Sequence, residues 1–319
     1  MTTILSIVVC THNRYKFLEN ILADLSLSLD DNSASWEVLI IDNASTDSTK
    51  ETVDRFTSQF PNFSYFYEPQ VGLSYARNRG WQEAKGEYVA YLDDDCRIPL
   101  DWIPKALKII DEKFPLAFGG PYLPDYETTK PTWYKDTYAS YMRGRYPKQA
   151  VSAENFNLCG GNLIVKRQIL EALGGYKSEL GMAGTKVGYA EEDDLQMRIR
   201  QRWPDGLIYF DPGLTVNHLV RPNKMKISWR IRYEYQWGKS RVILNNQPVR
   251  RMSFIEYILR ASKIGMTIGI SYIKGVFFRD RVKYPFFNNW FYEVTAIYFS
   301  HLGGLVQRWN DQTKNGQVN

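Results

Sequence analysis

Hydrophobic and polar positions along this chain are grouped in blocks. Residues 4–10, 36–41, 63–67 and 88–92 are short, nearly unbroken apolar runs. Strands of a parallel sheet are covered on both faces, so runs of this kind predict buried parallel strands. Between the runs, apolar residues recur every three or four positions, as in residues 17–25, which predicts amphipathic helices. The alternation predicts an α/β fold with right-handed crossovers.

Polar side chains follow three of these predicted strands. They are Thr11 to Arg14 after the first strand, Asp42 and Asn43 after the second, and Asp93 to Asp95 after the fourth. The carboxyl ends of parallel strands share one edge of the sheet, which is where ligands bind in open α/β folds. We therefore expect these three groups to lie along one edge and to form a ligand site.

The acidic triplet Asp93, Asp94 and Asp95 is the candidate metal site. Adjacent carboxylates repel one another, and oxygen-rich clusters suit Mg²⁺ or Mn²⁺. A hard divalent cation held there could bridge to the phosphates of a nucleotide. A solvated acidic turn is the simpler alternative, but the position at the end of a buried strand favours the metal site.

The second half of the chain has a different pattern. We predict a helix over residues 100–114, an irregular Tyr- and Pro-rich stretch over 116–158, and short strands near 207–210 and 215–218. Gly160 and Gly161 precede another predicted strand, where they allow either a close backbone approach to a ligand or a tight turn. We predict a helix over residues 188–202, with four consecutive acidic residues, 191–194, at its start. Four are more than stabilisation of a helix terminus requires.

The charge is unevenly distributed along the 319 residues. Residues 1–220 contain 23 Lys/Arg and 30 Asp/Glu, whereas residues 221–319 contain 17 and 5. A basic, aromatic C-terminal region predicts an anionic partner, either a membrane surface, a nucleic acid or a pyrophosphate-bearing substrate. We expect no nucleic acid, because no nucleic-acid-binding module accompanies the charge. The three cysteines are far apart, which favours a reducing compartment.

Taken in order, these motifs resemble the family 2 glycosyltransferases, which have the GT-A fold. The matching segments are residues 6–14, 38–47, 76–78, 92–95, 160–162 and 191–195. The resemblance implies a Rossmann-like nucleotide-binding half over 1–98, an acceptor-binding half over 99–220, and a mainly helical extension over 221–319. It implies inverting transfer of a sugar from a nucleotide diphosphate sugar, with a UDP-sugar as the first expectation, to a glycan or lipid-linked acceptor in polysaccharide biosynthesis.

The resemblance also implies roles for individual residues. Glu192 stands where the family has its catalytic base, usually Asp, so that Asp193 is a rival for that role. Asp95 would bind Mn²⁺ or Mg²⁺. His218 is either a second metal ligand or a structural histidine. The expected nucleotide-binding residues are Thr11, Asn13, Arg14, Asp42, Arg77, Asp93 and Asp94. The expected contacts to the donor or acceptor sugar are Gly160, Gly161, Asn162 and Glu191.

The C-terminal extension has the composition of an interfacial segment. Residues 254–278 are apolar but are interrupted by Arg260, Lys263 and Lys274, a pattern typical of a helix lying on a membrane rather than crossing it. We expect a cytoplasmic enzyme on the inner face of a bacterial cell membrane. The alternative for the extension is a helical lid with a basic outer face.

Two other functions remain possible at this point. A nucleotidyltransferase would normally carry a Gly-rich, basic loop after the first strand, and residues 11–14 are not such a loop. A non-catalytic, membrane-docked scaffold with the same fold would have no need of Asp95 and Glu192.

Overall fold

The computed structural model describes residues 3–28, 35–184, 188–245 and 251–314. The outermost predicted boundaries, residues 1 and 319, lie outside these ranges. The described chain forms two compact units. The first contains residues up to 125 together with 136–184 and 191–219, and the second contains 126–135, 188–190 and 220–314. The further division predicted at residue 98 stays a prediction.

The strands belong to two sheets. They are β1 (Leu5–Thr11), β2 (Trp36–Asp42), β3 (Phe63–Tyr67), β4 (Tyr88–Asp93), β5 (Cys96–Arg97), β6 (Ala117–Gly119), β7 (Tyr122–Tyr126), β8 (Val151–Ser152), β9 (Asn162–Lys166), β10 (Ile208–Phe210) and β11 (Val216–Val220). The large sheet has the order β3-β2-β1-β4-β9-β6-β10-β8, and the small sheet has the order β5-β11-β7.

The first four strands are parallel, as the sequence predicts. Their register aligns Thr11 with Asp42 and Cys10 with Asp93, so the polar groups that follow β1, β2 and β4 lie along one edge. The next strand in the sheet, β9, is antiparallel to both β4 and β6. The run of four parallel strands therefore ends at β4, the strand that leads into the acidic triplet.

Two hydrophobic layers cover the sheet, and alternate residues of each strand enter different layers. In β1, Ile7 and Val9 join one cluster while Val8 joins the other, and all three are fully buried. Burial on both faces explains why these strands are continuous apolar runs in the sequence.

The helices of the first unit connect and cover these strands. They are α1 (Tyr15–Leu27), α2 (Thr49–Gln59), α3 (Leu73–Glu83), α4 (Trp102–Lys113), α5 (Asp136–Ala139), α6 (Arg167–Leu173) and α7 (Glu191–Arg202), with a 3₁₀ turn at Tyr141–Gly144.

The prediction that residues 116–158 are irregular is partly wrong. This stretch contains β6 and β7, and β6 occupies an interior position of the large sheet between β9 and β10. A strand of three residues is too short to produce a recognisable hydrophobic period, so its pairing partners define it rather than its own sequence.

The second unit is mainly helical, which confirms the prediction for the C-terminal region. Its longer helices are α8 (Ile227–Asn245), α9 (Phe254–Phe277) and α11 (Tyr298–Lys314), with the short α10 (Phe287–Trp290), a π-helical turn at Phe291–Thr295 and a 3₁₀ turn at Pro222–Met225. Among the described residues, no helix is both long enough and apolar enough to cross a membrane.

Candidate active site

The acidic end of β4 can hold a metal ion. One ligand atom from each of Asp93, Asp95 and Cys96 lies within 4.8 Å of the others. Burial raises the pKa of the Cys96 thiol well above its usual value, and the neighbouring aspartates raise it further. A thiol that keeps its proton is a poor ligand, so the two carboxylates are the better donors for a hard cation.

His218 lies beside this pair, on β11, the middle strand of the small sheet. Its Nε2 atom is 3.7 Å from Oδ1 of Asp95, and its ring stacks on Tyr122 with the centroids 4.7 Å apart. Two carboxylates and one imidazole form a donor set that fits Mn²⁺ or Mg²⁺. The position of His218 agrees with the expectation of a ligand, and its role as one stays a prediction.

Asp94 connects β4 to the loop after β1. Its carboxylate accepts hydrogen bonds from Thr11 Oγ1 at 2.9 Å and from Arg14 Nη1 at 2.9 Å. Burial raises the pKa of Asp94 to about 6, against the opposing charge of Arg14 and with a further contribution from Asp95. Asp94 therefore holds Thr11 and Arg14 at the edge of the site.

The loops after β1 and β2 are joined by hydrogen bonds. The Asn13 N–H donates to Ser45 Oγ at 2.9 Å, and the Thr46 N–H donates to Asn13 Oδ1 at 2.7 Å. Asp42 accepts from the Ser45 N–H and the Tyr65 hydroxyl, both at 2.9 Å. Each oxygen of Asp42 thus already accepts one bond, and a contact with a nucleotide base, which stays a prediction, would use the remaining lone pairs.

Arg77 is the buried cation of the site, with only 4% of its side chain exposed. Its Nη1 atom is 2.8 Å from Oε1 of Glu191, and its Nη2 atom is 3.7 Å from Oδ1 of Asp93. The guanidinium group also lies near the rings of Tyr91 and Tyr176. Arg77 therefore connects the acidic end of β4 to the first turn of α7.

The four acidic residues that begin α7 have different environments. Glu191 pairs with Arg77, and Asp193 accepts a hydrogen bond from Asn157. Asp194 is completely buried and pairs with Lys177 at 2.7 Å and Arg198 at 2.6 Å. Three of the four carboxylates are thus used to hold the protein together.

Glu192 is the exception in this run. In the part of the chain that the structure describes, its carboxylate forms no ion pair or hydrogen bond with another side chain. Burial raises the pKa of Glu192 well above its usual range, and the charges of Glu191 and Asp193 add to the effect. A carboxylate with a raised pKa is a stronger base than an ordinary glutamate.

The glycine pair before β9 is close to charged groups of the site. A Cβ atom on Gly161 would lie 2.4 Å from Oδ2 of Asp93, and one on Gly160 would lie 3.0 Å from Nη2 of Arg77. The close approach expected of these glycines is therefore made to the site's own side chains, and a contact with a sugar stays a prediction.

The side chain of Asn162 occupies a structural position. It is fully buried, donates to the carbonyl oxygens of Leu214 at 2.7 Å and Pro121 at 3.3 Å, and accepts from Trp102 Nε1 at 3.3 Å. A sugar could reach this amide only by replacing those bonds, which argues against the direct sugar contact that we expected for Asn162.

Tyr122 is a site residue that sequence reasoning missed. Its hydroxyl donates to Oδ2 of Asp93 at 2.7 Å and accepts from the Cys96 thiol at 3.6 Å, while its ring supports His218. Tyr122 begins β7 within the stretch that was expected to be irregular, and its neighbours in sequence contain no signal for this role.

The fold and its acidic edge define a GT-A protein. Residues 6–174 match the family model described as glycosyl transferase family 2, so the chain belongs to that family and is a glycosyltransferase. This membership sets aside the nucleotidyltransferase and the non-catalytic scaffold.

Two curated relatives match about three quarters of the chain. Glucosyl-dolichyl phosphate glucuronosyltransferase from Haloferax volcanii is 24% identical over 248 residues, covering 75% of this chain and 77% of the relative. Succinoglycan biosynthesis protein ExoM from Rhizobium meliloti is 23% identical over 243 residues, covering 74% and 73%.

Solved structures with the same fold include two nucleotide-sugar complexes. Mannosyltransferase PcManGT from Pyrobaculum calidifontis, with GDP-Man and Mn²⁺, has a TM-score of 0.64 at 18% identity, covering 98% of this chain and 88% of its own. S. aureus TarS, residues 1–349, with UDP-GlcNAc, has a TM-score of 0.56 at 16% identity, covering 99% and 93%. At these identities the similarity shows the fold alone.

Substitution of Gly161 tests the geometry of the acidic cluster. We expect Gly161→Ala to displace Asp93, because the added methyl group would lie 2.4 Å from its carboxylate oxygen. Binding of Mn²⁺, measured by calorimetry, should weaken about tenfold or more while the protein remains folded. Gly265→Ala is the matched control, since a Cβ there meets nothing within 4 Å. Equal affinities in the two variants would contradict the role given to Gly161.

Proposed function

We propose that this protein is an inverting glycosyltransferase that moves a sugar from a nucleotide diphosphate sugar to a glycan or lipid-linked acceptor. The observation that carries the proposal is the position of Arg77, whose guanidinium group contacts both Glu191 on α7 and Asp93 on β4. Arg77 thereby connects two parts of one site. The first is the pair Asp93 and Asp95, which suits a cation, and the second is the turn of α7 that carries the unpaired carboxylate of Glu192, which suits proton transfer.

The donor would lie along the edge formed by the ends of β1, β2 and β4. Thr11, Asn13 and Arg14 are the side chains after β1 that would line the nucleotide pocket. Asp93 and Asp95, with His218 beside them, would hold Mn²⁺ or Mg²⁺. When bound, such a cation would neutralise the charge that develops on the departing nucleoside diphosphate.

Glu192 would act as the general base. The acceptor hydroxyl attacks the anomeric carbon, a new glycosidic bond forms, and the bond to the diphosphate oxygen breaks on the opposite side. Glu192 takes the proton of the attacking hydroxyl. Asp193 is the weaker candidate, because its carboxylate is already bound to Asn157 and lies in the field of Arg200.

The relatives support the class of substrate without defining the sugar. One of the two relatives is named for a dolichyl phosphate substrate and the other for succinoglycan biosynthesis. The structural neighbours were solved with GDP-Man and with UDP-GlcNAc. We therefore propose a role in polysaccharide or glycolipid synthesis, and a UDP-sugar remains the first donor to test.

An anionic membrane surface is the proposed partner of the second unit, with the enzyme at the inner face of the cell membrane. At about 100° per residue, the exposed apolar residues of α9 fall on one face of the helix, while Arg260, Lys263 and Lys274 fall on one flank. The residues of this outward apolar face are Ile255, Ile258, Leu259, Met266, Ile270, Ile273, Val276 and Phe277. A face of this kind suits the interface of a bilayer.

The metal prediction uses Asp95→Asn, which keeps the size of the side chain and removes its charge. We expect transfer to fall at least about 10²-fold, because the diphosphate charge is then poorly compensated. Donor binding should no longer depend on added Mn²⁺ in thermal-shift titrations. Asp54→Asn, an exposed position on α2, is the matched control. Full activity of the wild-type enzyme in EDTA would contradict a role for the cation.

The base prediction uses Glu192→Gln, which retains the shape but cannot accept a proton. We expect kcat to fall about 10²–10⁴-fold with the KM for the donor nearly unchanged. The raised pKa of Glu192 also predicts that wild-type kcat/KM increases with pH through a value above the usual glutamate pKa of about 4.3, since only the ionised form is a base.

Asp193→Asn is the comparison variant for this experiment. We expect it to keep most of the activity, because Asp193 serves Asn157, and to move the rise of kcat/KM to lower pH, because the charge of Asp193 helps to raise the pKa of Glu192. If Asp193→Asn loses activity and Glu192→Gln does not, the catalytic base is Asp193.

The membrane prediction concerns salt. We expect the protein to sediment with vesicles containing phosphatidylglycerol at low ionic strength and to be largely released at high salt, since each basic residue near an anionic surface contributes about 1 kcal/mol and salt screens it. Absence of sedimentation with any vesicle would favour the helical lid over the membrane-bound segment.

A further inference from the structure

A basic cavity lies in the second unit. It has a volume of about 530 Å³ and is formed between α8, α9 and α11. The cationic or titratable side chains that line it are Arg241, Arg260, Lys263, His301 and Arg308, and no carboxylate is among the lining residues. Small-molecule sites have volumes of about 300–1,000 Å³, so the cavity is large enough for a head group.

The positive charge of this cavity is largely uncompensated. Arg260 pairs with Glu256 at 2.6 Å. Arg241, Lys263 and Arg308 have no carboxylate within ion-pair distance in the residues that the structure describes. Like charges around a concave, partly enclosed space raise the local potential and attract an anion. The positive charge of the cavity therefore suits a phosphate better than an apolar ligand.

Small residues shape one wall of this cavity. Gly238 of α8 is in backbone contact with α11, since a Cβ on Gly238 would lie 1.9 Å from the carbonyl oxygen of Ser300. Gly304 of α11 also lines the cavity. The two glycines therefore let α8 and α11 pack closely along this wall and place no side chain in the cavity.

The second observation that supports lipid binding is the apolar surface on the other side of α9. Its outward apolar face carries no charge, and Phe277 and Ile255 are 72% and 71% exposed. When such a helix lies in a bilayer surface, residues on its flank reach the level of the lipid head groups. Arg260 and Lys263 are on that flank, and both line the cavity.

We propose that this cavity binds the phosphate of an anionic phospholipid head group while the outward apolar face of α9 lies in the same bilayer. The inference rests on the proposed membrane partner and makes it specific, because it assigns recognition of the lipid to one site rather than to the basic charge as a whole. Arg241, Lys263 and Arg308 are the residues that contact the phosphate.

The test compares two pairs of substitutions in the full-length protein. Lys263→Gln with Arg308→Gln removes two charges from the cavity. Arg281→Gln with Lys283→Gln removes two charges from the exposed segment that follows α9 and is the matched control. The affinity for phosphatidylglycerol-containing vesicles, measured by sedimentation, should fall about 30-fold for the cavity pair. The loss of affinity for the control pair should be several-fold smaller. Thermal unfolding verifies that both variants are folded.

Each other outcome overturns the proposal. Equal losses from the two pairs would mean diffuse attraction without a binding cavity. Equal binding to pure phosphatidylcholine vesicles would mean that apolar contact is sufficient. Tight calorimetric binding of inorganic phosphate or glycerol phosphate, with no binding to vesicles, would mean a site for a free phosphate.

Hydrolysis of the nucleotide sugar is measured in parallel on the same samples. The cavity pair should hydrolyse the donor at the wild-type rate, because its residues belong to the second unit. Failure of the wild-type protein to hydrolyse any donor would count against the proposed transferase activity and not against the cavity. The two proposals can therefore fail separately.

Discussion

The buried ion pair between Arg77 and Glu191 is the interaction on which the rest of the candidate site depends. A guanidinium group cannot lose its proton in a protein, so burying Arg77 requires acidic partners. Glu191 supplies the direct contact and Asp93 supplies a second negative charge at 3.7 Å. Removal of Arg77 would leave several carboxylates close together without a compensating cation. Its position thus determines where the start of α7 lies relative to the end of β4.

The sequence predicts much of the fold because burial on both faces leaves a strong pattern. The apolar runs of β1, β2 and β4 and the polar residues after them were sufficient to locate one edge of the sheet. The family resemblance then supplied candidate roles for Arg77, Asp95 and Glu192. None of these predictions requires knowledge of contacts between distant residues.

Other parts of the site could not be predicted because they depend on such contacts. Tyr122 becomes a partner of Asp93 only when β7 pairs with β11 in the small sheet, and its own segment has no helical or strand period. Asn162 follows two glycines in a motif that suggested a sugar contact, yet its amide is bound by Trp102, Leu214 and Pro121. Whether the environment of a polar residue is ligand or protein is decided by its tertiary neighbours.

Helix α9 has a thermodynamic consequence of its own. Only Ser271 and Gly275 of its 24 residues are buried, so its large apolar side chains are exposed to water before the protein unfolds. The heat-capacity increase on unfolding comes from newly exposed apolar surface. This helix can add little to that increase, and the denaturant dependence of its unfolding should be correspondingly shallow. In water, the stability of α9 will therefore vary less with temperature than that of the doubly covered strands.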